Sequence, residues 1–169
     1  MNSMSKYYKD DCDPCKKDKN DEKGCQSIVK CSCPSSFKLP GVTLASTFTI
    51  ASLRLNTSKL HNPCVKLEFV TNLDIVGVTV TDNLKFQLFK HCDGYGEAVP
   101  VGPSWTFGPI GAGSDTFSFF VCDCDCDDDC DTKCCTYTAK ITSAIAITAG
   151  SISLTNTTLA ATATSRPTC

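Results

Sequence analysis

The stretch CDCDCDDDC, residues 122–130, concentrates groups that do chemistry. Cys122, Cys124, Cys126 and Cys130 alternate with or abut Asp123, Asp125, Asp127, Asp128 and Asp129, and Asp131, Cys134 and Cys135 follow. Such a patch could bind a soft metal through thiolates, bind calcium through carboxylates, exchange disulfides, or serve as a staple. Structural zinc asks for four ligands, usually paired as two separated C-x₂₋₄-C units. The C-x-C-x-C spacing is tighter than that, and no histidine stands beside it. The six acids at 123, 125, 127, 128, 129 and 131 lack the central Gly and terminal Glu of a calcium loop. A solvated acidic loop is the expectation for them, with no metal and no cofactor.

Geometry favours disulfides. In an extended chain Cys122, Cys124 and Cys126 project to one side, with Cα atoms about 6.5–7 Å apart. That is at or beyond the comfortable disulfide limit, so these thiols are expected to bond other segments. Cys134 and Cys135, adjacent on a strand, point to opposite faces and need separate partners. An acidic neighbourhood raises a thiol pKa, which argues against a reactive nucleophile. Cys64 and Cys92 are candidate partners within the chain. The aspartates also offer an attraction for Lys16, Lys17 and Lys19.

The other cysteines are spread unevenly. Of 14 in the 169-residue chain, five lie in the first 36 residues: Cys12, Cys15, Cys25, Cys31 and Cys33. Cys169 is the last residue. Cys12-Asp-Pro-Cys15 fits C-x-x-C, but a thioredoxin-like site needs a helix N-terminus in a βαβ setting, and the flanks here are charged. The cysteine content reaches the lower edge of the disulfide-scaffold range, whereas a cytosol keeps thiols reduced. MNSMSKYYKDD, residues 1–11, contains no apolar run of the secretory type. The expectation is synthesis without a signal peptide and later oxidation. No stretch approaches 18 apolar residues, so no membrane-spanning helix is expected.

No enzyme is expected. G-x-S-x-G, H-E-x-x-H, P-loop and dinucleotide fingerprints are absent from the sequence. His61 and His91 are the two histidines, each near a cysteine (His61-Asn-Pro-Cys64 and His91-Cys92), and both read as surface turn residues. The net charge of −2 points to no nucleic-acid partner. Asn56-Thr-Ser and Asn156-Thr-Thr match the glycosylation sequon, which means little without export.

Two kinds of chain must position these groups. Residues 1–36 read as an N-terminal connector arm. Residues 1–30 hold seven lysines and six acids, and Ile28 and Val29 are their only aliphatic residues besides two methionines. Such a segment buries too little apolar surface to offset its ordering entropy. Extended, the arm would reach on the order of 120 Å. Residues 37–165 change to period two. Phe48 and Ile50 share one parity and Leu53 and Leu55 the other, so a bulge near Ala51 or Ser52 is expected within 41–57. Val65, Leu67 and Phe69 alternate with Lys66 and Glu68. Further strands are expected at 74–81 (Val76, Val78, Val80 inward), 84–91, 115–122, 136–148 and 151–164. PVGPSWTFGP, residues 100–109, reads as a proline-bounded edge segment with Trp105 as a core or rim anchor rather than a sugar platform. About eight short strands between Gly, Pro, Asn and Asp turns predict an all-β, jelly-roll-like β-sandwich. Residues 166–169 form a C-terminal tail ending in a thiol that could bond another chain.

HNPCVKLEF (61–69), PVGPSWTF (100–107), DTFSFFVCDCD (115–125) and CCTYTAKIT (134–142) resemble a family of uncharacterised cysteine-rich proteins of anaerobic spore-forming bacteria. The resemblance covers roughly residues 38–165 and implies a fold but no reaction. The layout is also similar to endospore appendage subunits, pilus-like fibres built from small jelly rolls with a cysteine-bearing N-terminal connector. That second resemblance implies disulfide-fixed homopolymers on the spore surface, made without a signal peptide in the mother cell. It carries over to Cys12 and Cys15 only, as connector cysteines.

The expectation is therefore a self-assembling structural subunit whose partner is a further copy of itself. Cys12, Cys15, Cys25, Cys31, Cys33 and Cys169 are the candidates for bonds between subunits. Cys64, Cys92, Cys122, Cys124, Cys126, Cys130, Cys134 and Cys135 are the candidates for receiving or intrachain bonds. The alternative is a metal- or carbohydrate-binding β-sandwich module.

Overall fold

Alternating apolar and polar residues fold as strands because successive side chains leave a strand on opposite faces. In the computed structural model, which describes residues 27–39, 46–77, 83–93, 96–108, 111–124, 134–143 and 150–165, that alternation yields nine strands. They are β1 (Ser27–Cys31), β2 (Ser35–Lys38), β3 (Ser46–Asn56), β4 (Pro63–Val76), β5 (Leu84–Cys92), β6 (Val99–Phe107), β7 (Gly113–Asp123), β8 (Cys134–Ser143) and β9 (Ser151–Ser165).

One sheet runs β1-β9-β4-β7, with β2 also on β9, and the other runs β3-β8-β5-β6. All pairings are antiparallel. β1 and β2 follow one another along β9, so they act as one interrupted edge strand. The interruption is Ser32-Cys33-Pro34, where proline has no N–H to give a ladder. Ser32 keeps the register there: its amide donates to the Leu159 carbonyl at 2.8 Å and its hydroxyl accepts from the Leu159 amide at 3.0 Å. Counting that edge as one strand leaves eight, and every connection except the β5–β6 hairpin changes sheet. This is the jelly-roll connectivity of an all-β sandwich.

The core lies between the sheets. Leu67, Phe69, Leu73, Leu154 and Leu159 face it from the first sheet, and Leu55, Leu84, Phe86, Leu88 and Ile141 from the second, all fully buried. Aromatic rings tie the sheets: Phe69 packs on Phe119 at 5.2 Å and on Phe86 at 5.7 Å, and Phe86 on Phe117 at 4.7 Å. Trp105 stacks on Phe119 at 5.3 Å. It sits on β6, which among the described residues is an edge strand paired with β5 alone, as the rim anchor its sequence setting suggests. Gly102 adopts φ +67° on β6, and a Cβ there would run into the Val121 side chain.

Two irregularities correct the strand phase. In β3 the register with β8 shifts between Thr49 and Ala51, and Ile50 and Ala51 are both buried. This bulge reconciles the two parities of the segment, one residue earlier than the sequence suggested. In β9 the inward positions run Ile152, Leu154 and then Thr157, Leu159, Ala161 and Ala163. The phase changes at Asn156, which takes φ 52°, a left-handed conformation that asparagine tolerates. The register with β4 shifts there too, between Val70 and Asn72. Its place in a sequon is incidental to this backbone role.

The β9 bulge turns Thr157 into the core, where its hydroxyl meets that of Thr71 at 2.7 Å, both residues being fully buried. Thr71→Val should cost about 1–3 kcal/mol, because the Thr157 hydroxyl then loses this partner inside the core. Thr71→Val with Thr157→Val should recover most of that loss. Urea denaturation of the two variants checks this, and equal destabilisation in both would refute it.

Two expectations change. Residues 27–36, read from composition as the end of the arm, are built into the sandwich through β1 and the start of β2. A five-residue strand with Ile28 half-buried is held by its ladder on β9, which local hydrophobicity does not reveal. Of the separate strand expected at 74–81 with Val76 inward, residues 74–76 are instead the end of β4, and Val78 and Val80 lie outside the described residues. The inward set of β4 continues as Thr71, Leu73 and Ile75, which leaves Val76 exposed.

Candidate functional site: one cysteine-rich end of the sandwich

Six of the eight described cysteines, Cys64, Cys92, Cys122, Cys124, Cys134 and Cys135, gather at the end of the sandwich where β4 begins and β5 and β7 finish. Val65 pairs with Asp123 across β4 and β7, so Cys64 and Cys124 continue that register one step on. They form a disulfide with Cα atoms 4.3 Å apart and 60 residues between them in sequence. Cys92 and Cys135 are register partners on β5 and β8. Their side chains point inward and form the second disulfide, with Cα atoms 4.0 Å apart and 43 residues of separation. Both spacings are those of a close, non-hydrogen-bonded antiparallel pair. Cys134, next to Cys135 but on the other face of β8, is also disulfide-bonded.

Between these bridges lies a buried polar contact. Asp123 shares the inward parity of Phe119 and Val121. Its carboxylate accepts a 2.6 Å hydrogen bond from the Tyr137 hydroxyl and lies 3.0 Å from the Lys90 ammonium. Lys90 and Tyr137 are themselves register partners on β5 and β8, so the contact joins one sheet to the other. The side chains of Lys90 and Asp123 are 16% and 8% exposed. Asp123 is therefore no part of a solvated acidic loop. Its position two residues beyond Val121 marks it as inward, but its partners, 33 and 14 residues away in sequence, leave no local signal.

Outside, Arg54 extends the cluster. Its guanidinium donates to the Asp93 carboxylate at 2.6 Å and to the Cys134 sulfur at 3.3 Å. Both charged groups are largely exposed, so this pair adds little stability. His61 and His91 are exposed at turns and strand ends.

Three described cysteines are free and exposed: Cys31, Cys33 and Cys122. Cys31 ends β1, Cys33 lies in the interruption before β2, and Cys122 lies on β7, outward like Cys124. Cys12, Cys15, Cys25, Cys126, Cys130 and Cys169 lie outside the described residues, as do Asp125, Asp127, Asp128, Asp129 and Asp131. Among the described residues no group of three or more His, Cys, Asp or Glu side chains is placed to hold a metal ion. The described cluster thus holds one bridge facing the core, Cys92–Cys135, one on the outer face, Cys64–Cys124, and open thiols on the first sheet.

Solved structures with similar folds are distant. The chain is 16% identical to a structure of infectious bursal disease virus Gx strain, with a TM-score of 0.48, covering 89% of this chain and 38% of that one. A carbohydrate-binding module of the β-sandwich superfamily gives 8% identity and a TM-score of 0.35 over 78% of this chain and 55% of that one. Broad Bean Stain Virus, solved by cryo-EM, gives 12% identity and a TM-score of 0.30 over 85% and 87%. At this distance they carry no functional argument. No curated protein matches the chain. Residues 25–164 match a family model described as a domain of unknown function, DUF4489. That span takes in β1 through most of β9 and every described cysteine, and the chain belongs to this family.

Proposed function

We propose that this protein is a non-enzymatic structural subunit that assembles with copies of itself and is cross-linked by disulfides. The product is an extracellular fibre or coat layer of the endospore-appendage kind. The observation that carries the proposal is the division of labour among the cysteines. Cys64–Cys124 and Cys92–Cys135 staple one sandwich internally, whereas Cys31, Cys33 and Cys122 stay free on its surface.

The open sheet edges support the same reading. Among the described residues β1 and β7 pair on one side only, as do β3 and β6, and unpaired edges are templates for another chain. A head-to-tail contact that does not close produces a filament. Residues 1–26, with Cys12, Cys15 and Cys25, supply the connector: a reach into a neighbouring copy followed by covalent fixation. Synthesis in a reducing cytosol keeps the surface thiols available until oxidation fixes the assembly.

Gel electrophoresis of the oxidised protein, with and without reductant, tests this. The expected result is a high-mass ladder that reductant collapses to monomer. A clean monomer band without reductant would refute the proposal.

A further inference from the structure

We infer that copies join edge to edge through the first sheet, β7 of one copy against β1 of the next, and that a disulfide between Cys122 and Cys31 locks that seam. This rests on the self-assembly proposed above and specifies its contact.

The register places both thiols on one face. Cys31 is level with Ala160, Glu68 and Phe120 across β9, β4 and β7, and Val29 is level with Thr162, Lys66 and Cys122. These residues lie on the outer side of the sheet. Val29 and Phe120, 70% and 60% exposed, flank the two thiols at its opposite edges. Cys31 and Cys122 are separated by three strand spacings, about 14 Å, too far for a bond within one chain.

The backbone directions match. Along β1, β9, β4 and β7 the strands alternate, so β1 and β7 run in opposite directions. A second copy translated sideways therefore presents its β1 antiparallel to the first copy's β7, and the sheet continues unbroken. The hydrogen-bonding groups match as well. The Ser32 amide points to β9, so the N–H and C=O of Cys31, one residue back, point to the free edge. Cys124 forms a close pair with Cys64 toward β4, so Cys124 and Cys122 direct theirs away from β4, again to the free edge.

Cys31 opposite Cys122 is then a hydrogen-bonded antiparallel pair, whose Cα atoms lie about 5.5 Å apart. That is a common Cα separation for a disulfide. The match needs a stagger of two residues from a straight translation, which keeps each side chain on its own face. It offsets each copy by about 7 Å along the strands.

The head-to-tail order sets the start of β1 of one copy beside the end of β7 of the other. In it, the chain entering β1 of one copy and the chain leaving β7 of the other meet at the same end of the seam. The entering chain carries Lys16, Lys17, Lys19, Lys23 and Cys25, and the leaving chain carries Asp125, Asp127, Asp128, Asp129, Cys126 and Cys130. A two-fold pairing of β7 with β7, or of β1 with β1, forgoes that complementarity.

The covalent step needs a two-electron oxidant, supplied by a low-molecular-weight disulfide. The Cys122 thiolate attacks it, forming a mixed disulfide and expelling one small thiol. The Cys31 thiolate of the next copy then attacks the Cys122 sulfur, expelling the second small thiol. Two protein thiols lose two protons and two electrons, and the small disulfide becomes two thiols.

The test has two parts. In the full-length protein, isotope-labelled and unlabelled copies are mixed, oxidised with a small disulfide, digested and examined by mass spectrometry. Hybrid-mass peptides joining Cys31 to Cys122 are expected. Dominant Cys31–Cys31 or Cys122–Cys122 links, or no link at either thiol in polymerised protein, would overturn the inference. In the second part Cys12, Cys15, Cys25, Cys33 and Cys169 are made Ser. This background should still give a ladder on non-reducing gels. Adding Cys31→Ser or Cys122→Ser should abolish it, and an equal mixture of those two variants should stop at dimer. A ladder that survives either substitution refutes the seam while leaving self-assembly standing. Wild-type protein that stays monomeric under oxidation refutes the parent proposal as well.

Discussion

Asp123→Ala is expected to destabilise the sandwich by about 3–5 kcal/mol, the usual cost of removing one partner from a buried ion pair. The Lys90 ammonium, 3.0 Å from the carboxylate and mostly covered, would lose this counter-charge in a medium that solvates it poorly. Tyr137 would lose its hydrogen bond to this carboxylate at the same time. The effect arises from what remains behind, so a second substitution should reverse much of it. Asp123→Ala with Lys90→Met removes both charges, and it should lie within about 1–2 kcal/mol of wild type. Asp123→Asn keeps an acceptor for Tyr137 and should fall between the two. Urea denaturation of the four proteins checks the order. A loss below about 0.5 kcal/mol for Asp123→Ala, the ordinary range of surface substitutions, would show that the contact does not hold the sheets together.

The second large effect is expected from the inward bridge. Replacing Cys92 and Cys135 together by Ala should cost about 4 kcal/mol, from the chain-entropy cost of a loop of 43 residues. The two sulfurs are buried within the core cluster, so the small void they leave adds a packing cost to the loss from a freer unfolded chain. Denaturation should then show a lower midpoint and a steeper denaturant dependence, because the uncrosslinked chain exposes more surface. An unchanged midpoint would mean that the bridge constrains little. Cys64–Cys124 closes a loop of similar length on the outer face, and the same logic applies to it. Neither substitution touches Cys31 or Cys122, so cross-linking between copies should persist wherever the variant folds.

These two effects concern the same end of the sandwich. Two bridges and one ion pair fasten β4, β5, β7 and β8 there, and the chain segments bearing the remaining strip thiols leave from the same place. A load applied at the end of β7 would pass into the second sheet through the contacts of Asp123 with Lys90 and Tyr137.

Much of this arrangement was legible locally. Period-two alternation located β3 through β9, because side-chain direction along a strand depends on the strand alone. The mixed parity of Phe48, Ile50, Leu53 and Leu55 required a bulge, and one lies at Ile50–Ala51. The same period placed Cys122 and Cys124 on one face and set Cys134 and Cys135 on opposite ones. What local pattern could not supply was which strand lies beside which. Cys64 with Cys124, Cys92 with Cys135, and Asp123 with Lys90 and Tyr137 are contacts between distant segments, set by sheet order and register. The strand at Ser27–Cys31 escaped a reading of composition for the same reason. It has little apolar surface of its own and is a strand because β9 offers it hydrogen bonds. The chemistry of the thiols is written in the chain; their division into internal staples and open surface groups is decided only when the two sheets close on one another, because a disulfide requires two Cα atoms within a few ångströms and only the register brings them there.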